Sequence, residues 1–255
     1  MTDAQNFETR RAAMRAAGLW IDKTMDDFLA QALDRIADKE ALVAYRCDRN
    51  APVRLSYRQL NDKVNLAAAA LHRMGVRHGD VVAVQLPNWW EFVVMTLACG
   101  RIGAVMNPLM HIFRERELTF MLGFAKAKVL VIPKTYRGFD YEAMVQGMRS
   151  ELPQLQHVVV VDGLGENSFE RTLQSGSAGA GVQIPKGTRS LAPDDLAVLM
   201  FTSGTTGSPK GVMHTSNTLV ACMNALSGRF GVGQDDVYLA STPVGHMTGY
   251  VAVVL

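Results

Sequence analysis

The sequence predicts an α/β protein, a layered αβα fold with mostly parallel sheets. Three observations carry that prediction. Short runs are apolar on both faces, segments of helical period alternate with them, and capping residues or glycines punctuate the joins. Residues 25–37 set Phe28, Leu29, Ala32, Leu33 and Ile36 on one stripe of a helix, and a short strand is expected at 41–45. Ser56-Tyr57-Arg58-Gln59 is a capping-box pattern that starts a helix running to about residue 74, where Gly75 supplies a left-handed stop. Alternation follows: strand 81–86, helix 88–102, strand 104–106, helix 114–124, strand 129–132, helix 141–149 and strand 157–161. Beyond the glycine- and serine-rich stretch 175–187, the pattern predicts strand 196–201, a polar glycine loop, strand 212–214, helix 216–228 and a last strand at 236–240.

This pattern divides the chain into a first α/β subdomain (1–174), a flexible connection (175–190) and the start of a second α/β subdomain (191–255). The last five residues, Val251-Ala252-Val253-Val254-Leu255, are an apolar run with no polar closing segment. A truncated chain is the expectation.

Composition excludes several classes of function. Hydrophobic residues make up 48% and charged residues 20% of 255, the balance of a folded globular protein. Twenty-six Lys and Arg against 24 Asp and Glu leave a formal charge of +2, which gives no reason to expect nucleic acid or an anionic membrane as partner. The basic block at 10–15 is too short and mixed to change that. Cys47, Cys99 and Cys222 lie far apart with no zinc-ligand spacing, which fits a reducing, cytoplasmic location. No signal-peptide stretch opens the chain, and the most apolar region, 92–106, is interrupted by Arg101 and too short for a membrane span.

The chemistry concentrates in FTSGTTGSPKG, residues 201–211. Gly204, Gly207 and Gly211 leave the backbone open to a ligand and let successive N–H groups converge. The hydroxyls of Thr202, Ser203, Thr205 and Thr206 add donors, and Lys210 adds a positive charge. Such a loop suits polyphosphate, whose oxygens accept many charge-assisted hydrogen bonds at once. It is not a Walker loop, because Pro209 stands where that motif needs glycine and Gly211 where it needs a hydroxyl. Nor is it the GxGxxG dinucleotide fingerprint. Without a nucleotide, residues 202–211 are expected to be mobile, since glycines and exposed hydroxyls make few packing contacts.

FTSGTTGSPKGV resembles the signature phosphate loop of the adenylate-forming superfamily: acyl-CoA synthetases, peptide-synthetase adenylation domains and luciferases. GDVVAVQLPN (79–88) and GAVMNPL (103–109) are similar to that superfamily's early strand–turn–helix segments, and TPVGHMTG (242–249) to the motif that follows the loop. QLPNWWEF, PVGHMTGY and the N-terminal RRAAMRAAGLW most resemble medium- and short-chain acyl-CoA synthetases and cyclohexanecarboxylate–CoA ligases. The resemblance spans almost the whole chain and implies the N-terminal portion of the large domain of such an enzyme. It implies ATP-dependent activation of a small carboxylic acid to an acyl-adenylate, then thioester formation with coenzyme A. It further implies that Thr202, Ser203, Gly204, Thr205, Thr206, Gly207 and Lys210 hold the nucleotide phosphates, that Thr202 also contacts Mg2+, and that His246 flanks the acyl site. Family members also carry an aromatic–Gly–x–Thr–Glu segment, a ribose-binding aspartate, a hinge and a late catalytic lysine, none of which lies within residues 1–255. The chain alone is therefore expected not to complete adenylation. Two alternatives stay open: a non-catalytic, truncated or degenerate relative, and an adenylation domain that loads a carrier protein.

Other residues have plainer readings. Trp89 and Trp90, beside Phe92 at a helix start, read as core and rim packing. Asp235 and Asp236 lack companion ligands and read as solvated. His111 with Arg114, Glu115, Arg116 and Glu117 reads as a solvated face at a helix start, and His72 and His78 carry no assigned role. Oligomeric state is not legible.

Overall fold

The computed structural model describes residues 3–176, 184–202 and 209–254. In chain order the elements are α1 (Asp3–Ala16), α2 (Met25–Ile36), β1 (Glu40–Ala44), β2 (Val53–Ser56), α3 (Tyr57–Arg73), β3 (Val81–Val84), α4 (Trp90–Arg101), β4 (Val105–Pro108), α5 (Glu115–Ala125) and β5 (Val129–Pro133). There follow β6 (Thr135–Tyr136), β7 (Phe139–Asp140), α6 (Tyr141–Met148), a 3-10 turn (Arg149–Glu151), β8 (His157–Val161), α7 (Phe169–Gly176), β9 (Leu196–Phe201), β10 (Gly211–Thr215), α8 (Ser216–Phe230) and α9 (Met247–Val254).

Sequence dictates several of these boundaries directly. The Ser56 side chain accepts from the Gln59 N–H while the Gln59 side chain accepts from the Ser56 N–H, so α3 begins on the predicted capping box. Gly75 turns at φ +81° after its last residues. Thr24 with Asp27 starts α2, and Thr215 with Thr218 starts α8, by the same reciprocal device.

Six strands form one sheet in the order β10-β9-β4-β3-β5-β8. All neighbours are parallel except β10 and β9, which form an antiparallel hairpin. The sheet runs across both of the segments, 1–174 and 191–255, that the sequence pattern separates. Successive strand residues feed opposite cores, as a period of two requires. Val82 and Val84 of β3, Val129 and Val131 of β5, and Val159 and Val161 of β8 pack with α2, α3, α4 and α7. Ala83, Leu130, Ile132 and Val160 face the other way, onto α5 and α6. The α/β reading and the mostly parallel sheet hold.

One predicted element does not form. Residues 236–240 make no strand, and Val237 and Leu239 are 95% and 83% exposed. Their V-Y-L-A run suits a strand, but no strand partner pairs with it among the described residues, and strand propensity without a ladder does not make a sheet. The strand expected at 41–45 forms as β1, and unpredicted pieces are also present: α1, α7, the strand β2 that partners β1, and the pair β6–β7. Among the described residues no helix is long and apolar enough to cross a membrane.

Between α4 and the outer loops lies a buried charge. Glu91, in the first turn of α4, is 3% exposed, and its Oε2 has no hydrogen-bond partner among the described residues. Burial pushes its carboxyl up from 4.5 to about 7, against the pull of its own backbone N–H and of Arg46; Asp162 and Glu170 add to the rise. Arg46 is held elsewhere, ion-paired to Asp48 at 2.7 Å and to Asp162 at 2.5 Å, with its guanidinium 3.5 Å from the Trp89 ring centroid. The folded protein holds the Glu91 proton more tightly than the unfolded chain does. The associated stability is fully present below pH 4.5 and is lost as pH rises through about 7. Glu91→Gln should remove that slope and raise stability above pH 7 by about 3 kcal/mol. Denaturant unfolding between pH 4 and 8 tests this, and an unchanged slope in the variant would contradict it.

Candidate active site

The candidate site gathers at the carboxyl ends of the parallel strands. From β3 the chain passes to α4 on one face of the sheet, and from β4 to α5 on the other. Adjacent strands whose connections leave toward opposite faces open a crevice between their ends, the usual ligand position in open α/β sheets. β9 runs parallel to β4 and ends on the same side, so the β9–β10 turn opens beside that crevice.

The glycine-rich loop is that turn. Ser203, Gly204, Thr205, Thr206, Gly207 and Ser208 lie outside the described residues, and the expected mobility of 202–211 falls mainly on them. Its two ends are described. The Thr202 N–H donates to the Lys210 carbonyl at 3.0 Å, and Gly211 pairs with Phe201, so the hairpin ladder continues to the mouth of the loop. The side chains of Thr202 and Lys210 are both exposed there. Pro209 lines an open groove with Ile112, Phe113, Arg114 and Met121.

His246 sits in a turn that is tied to the ends of β3 and β4. Its N–H donates to the Pro243 carbonyl at 3.0 Å, and its own carbonyl accepts from Tyr250 at 2.8 Å, which starts α9. Its ring is exposed, with Nδ1 3.4 Å from the Thr248 nitrogen. Two glycines let this turn close. A Cβ on Gly245 would stand 2.7 Å from the Leu109 carbonyl, and one on Gly249 would stand 2.1 Å from the Pro243 oxygen. Residues 109–114 are thus the common neighbour of the two motifs, touching Gly245 at one end and sharing the groove with Pro209 at the other.

Sequence reasoning passed over the residues that build this neighbour. Gln85 is fully buried and donates through Nε2 to the Met110 and Phe113 carbonyls, at 3.1 and 3.0 Å. Asn107, also fully buried, donates to the Leu199 carbonyl of β9 at 2.7 Å. Asn88 donates to the carbonyls of Ala240 and Thr242 and accepts from the Val244 N–H, at 3.0, 2.9 and 3.0 Å. The available signal was a polar amide in an otherwise apolar run, VAVQLPN or AVMNPL, since a buried amide must find partners.

Nor is the 111–117 run a wholly solvated face. Arg114 stacks 4.0 Å from the Phe139 ring centroid and donates to the His111 and Phe113 carbonyls. His111 is partly buried against Tyr136, and burial, with Arg137 and Arg114 nearby, holds its imidazole below the ordinary range. Glu115 and Arg116 do face solvent, as predicted. Trp89 is buried against Tyr136 and Trp90 packs at the rim on Phe169, matching the sequence reading. Asp235 and Asp236 are exposed, and no group of three or more His, Cys, Asp or Glu gathers among the described residues.

Gly249→Ala should destabilise the protein by about 1–3 kcal/mol, because the added methyl meets backbone atoms that have no flexible way to yield. A denaturant midpoint equal to that of the parent would show that the approach is not as close as described.

The AMP-binding enzyme family matches residues 29–255. The chain is 35% identical over 249 residues to a medium-chain fatty-acid–CoA ligase of Escherichia coli, covering 95% of this chain and 42% of the relative. It is 35% identical over 237 residues to a salicyl-AMP ligase / salicyl-S-ArCP synthetase of Mycobacterium tuberculosis, covering 93% and 41%. Among solved structures, apo MbtA of Mycobacterium smegmatis superposes with a TM-score of 0.79 at 30% identity, covering 97% of this chain and 45% of that one. The chain spans about two fifths of the length of the curated relatives it matches. It belongs to the AMP-binding enzyme family.

Proposed function

We propose that the whole protein to which this chain belongs is an ATP-dependent acid–thiol ligase that converts a small carboxylic acid to its CoA thioester. The observation that carries the proposal is the loop FTSGTTGSPKGV, which joins β9 to β10 beside the β3–β4 crevice. In the first step a carboxylate oxygen attacks the α-phosphorus of ATP; the bond to the β-phosphate bridge breaks, leaving an acyl-adenylate and pyrophosphate. In the second, the thiol sulfur of coenzyme A attacks the acyl carbon, loses its proton and expels AMP. Negative charge builds on phosphate oxygens in the first step, and fixed donors that meet it lower the barrier.

Within this reading, Ser203, Gly204, Thr205, Thr206 and Gly207 supply backbone and hydroxyl donors to the β- and γ-phosphates, and Lys210 supplies the ammonium. Exposed and hinged at the end of a paired ladder, Lys210 is free to reach an anion. His246 borders the carboxylate. Mg2+ belongs to the same proposal. It takes oxygen ligands largely from substrate phosphates and water, so the hydroxyl of Thr202 at the end of β9 suits it without an acidic cluster. When bound, the ion would neutralise phosphate charge.

Likeness to the medium-chain fatty-acid–CoA ligase supports CoA as acceptor and an aliphatic acid as substrate. Likeness to the salicyl-S-ArCP synthetase favours a second reading, an adenylating enzyme that loads a carrier protein. Pyrophosphate exchange into ATP by the whole protein, run over medium-chain, cyclohexanecarboxylic and aryl acids, tests the first step; acceptor assays with CoA and with a carrier then separate the readings. Magnesium-dependent exchange with at least one acid is expected, and none with any acid would overturn both. Lys210→Ala should weaken ATP use by about 1.5–3 kcal/mol through loss of a charge-assisted contact, read as a rise in the KM for ATP. Unchanged ATP kinetics would remove Lys210 from the phosphate site.

A further inference from the structure

Asn88 lies in the β3–α4 turn, more than 150 residues from its partners, yet all of its side-chain hydrogen bonds go to one short segment. Its Nδ2 donates to the Ala240 and Thr242 carbonyls, and its Oδ1 accepts from the Val244 N–H. Those partners precede His246 directly. The segment has little else to fix it. Residues 236–240 are in no strand, and Val237 and Leu239 are almost fully exposed. Val244 and Gly245 are buried against the core, with Gly245 pressed on Leu109 and Met110. Asn88 therefore stands where a loosely held strand-like stretch passes into a closely packed turn.

We propose that Asn88 is a positioning residue for the acyl side of the site, acting through His246. The inference rests on the proposed function for its catalytic consequence, but its structural core does not. A side chain with two donors and one acceptor reads three backbone groups in alternation, which sets both the height and the rotation of 240–244 on the ends of the parallel strands. Gln85, three residues earlier, performs a parallel task on residues 110–113. One turn thereby holds two walls of the crevice, and Asn88 holds the one that bears the histidine.

Asn88→Ala leaves the Val244 N–H and two carbonyls without their partner and frees the turn. In the whole protein the KM for the carboxylate should rise by about 10-fold or more, while the KM for ATP changes by less than about 2-fold, because misplacement is confined to the acyl side. In a His246→Ala background the same substitution should add less than about 2-fold, since residues that act through one another are not additive. Equal effects on both substrates, or full additivity with His246→Ala, would overturn the role. Hydrogen exchange gives a readout independent of activity: peptides covering 241–250 should lose protection in Asn88→Ala while peptides from α3 keep theirs. Unchanged protection at 241–250 would overturn the proposal even in an active enzyme. If exchange behaves as expected but the parent activates no acid, the fault lies with the proposed function. Should Asn88→Ala not fold, Asn88→Asp keeps the size and the acceptor for Val244 and removes both donors. It should show the same split between the two substrates, and a parent-like carboxylate KM in it would overturn the proposal.

Discussion

Burial of the central strands on both faces is the constraint on which the rest of the structure depends. β3, β4 and β5 carry valine, leucine, isoleucine and alanine toward two cores at once, so their backbone groups are satisfied only within the sheet. Connections can then leave only at the strand ends, and because those after the parallel β3 and β4 leave toward opposite faces, one of those ends becomes a crevice. Polar side chains admitted to this layer need partners, and the amide nitrogens of Gln85 and Asn107 find them, while their amide oxygens have none among the described residues. Gln85 takes two carbonyls of the β4–α5 turn, and Asn107 takes one from β9.

Asn107 shows how the constraint reaches the glycine-rich loop. Registered pairing between β4 and β9 is limited to Met106 with Val198, far shorter than the β5–β8 ladder. The Asn107 amide reaches Leu199 one residue further on, so a side chain extends an abbreviated ladder toward the mouth of the hairpin. β10 then zips onto β9 from Thr215 to Gly211 and delivers Lys210 at a fixed point.

Much of this was legible in the sequence wherever a local rule decides the outcome. Ser56 to Gln59 specifies a helix start by itself, and runs such as VLVI between Val129 and Ile132 specify a buried strand by composition. Legibility failed where tertiary partners decide. The run at 236–240 has strand character but no ladder among the described residues, whereas β2 and the two-residue strands β6 and β7 were not foreseen and are held by pairing with a neighbour. At the candidate site, the expectation for the loop rests on the type and spacing of its glycines, hydroxyls and lysine. Gln85, Asn88 and Asn107 are not read that way, because an amide's meaning lies in which carbonyls face it, and those belong to distant parts of the chain.

The two motifs are therefore referred to the same pair of strands by different means. The hairpin is placed by main-chain pairing, which any sequence that keeps the alternation of β9 and β10 preserves. The histidine turn is placed by one amide side chain and by two glycines whose neighbours leave no room for a methyl. Ladder bonds are distributed and tolerate single substitutions, whereas the amide and the glycines are concentrated at single positions. The fold thus seats the hairpin mainly through backbone pairing braced by Asn107, and the histidine turn through the Asn88 amide and two glycines.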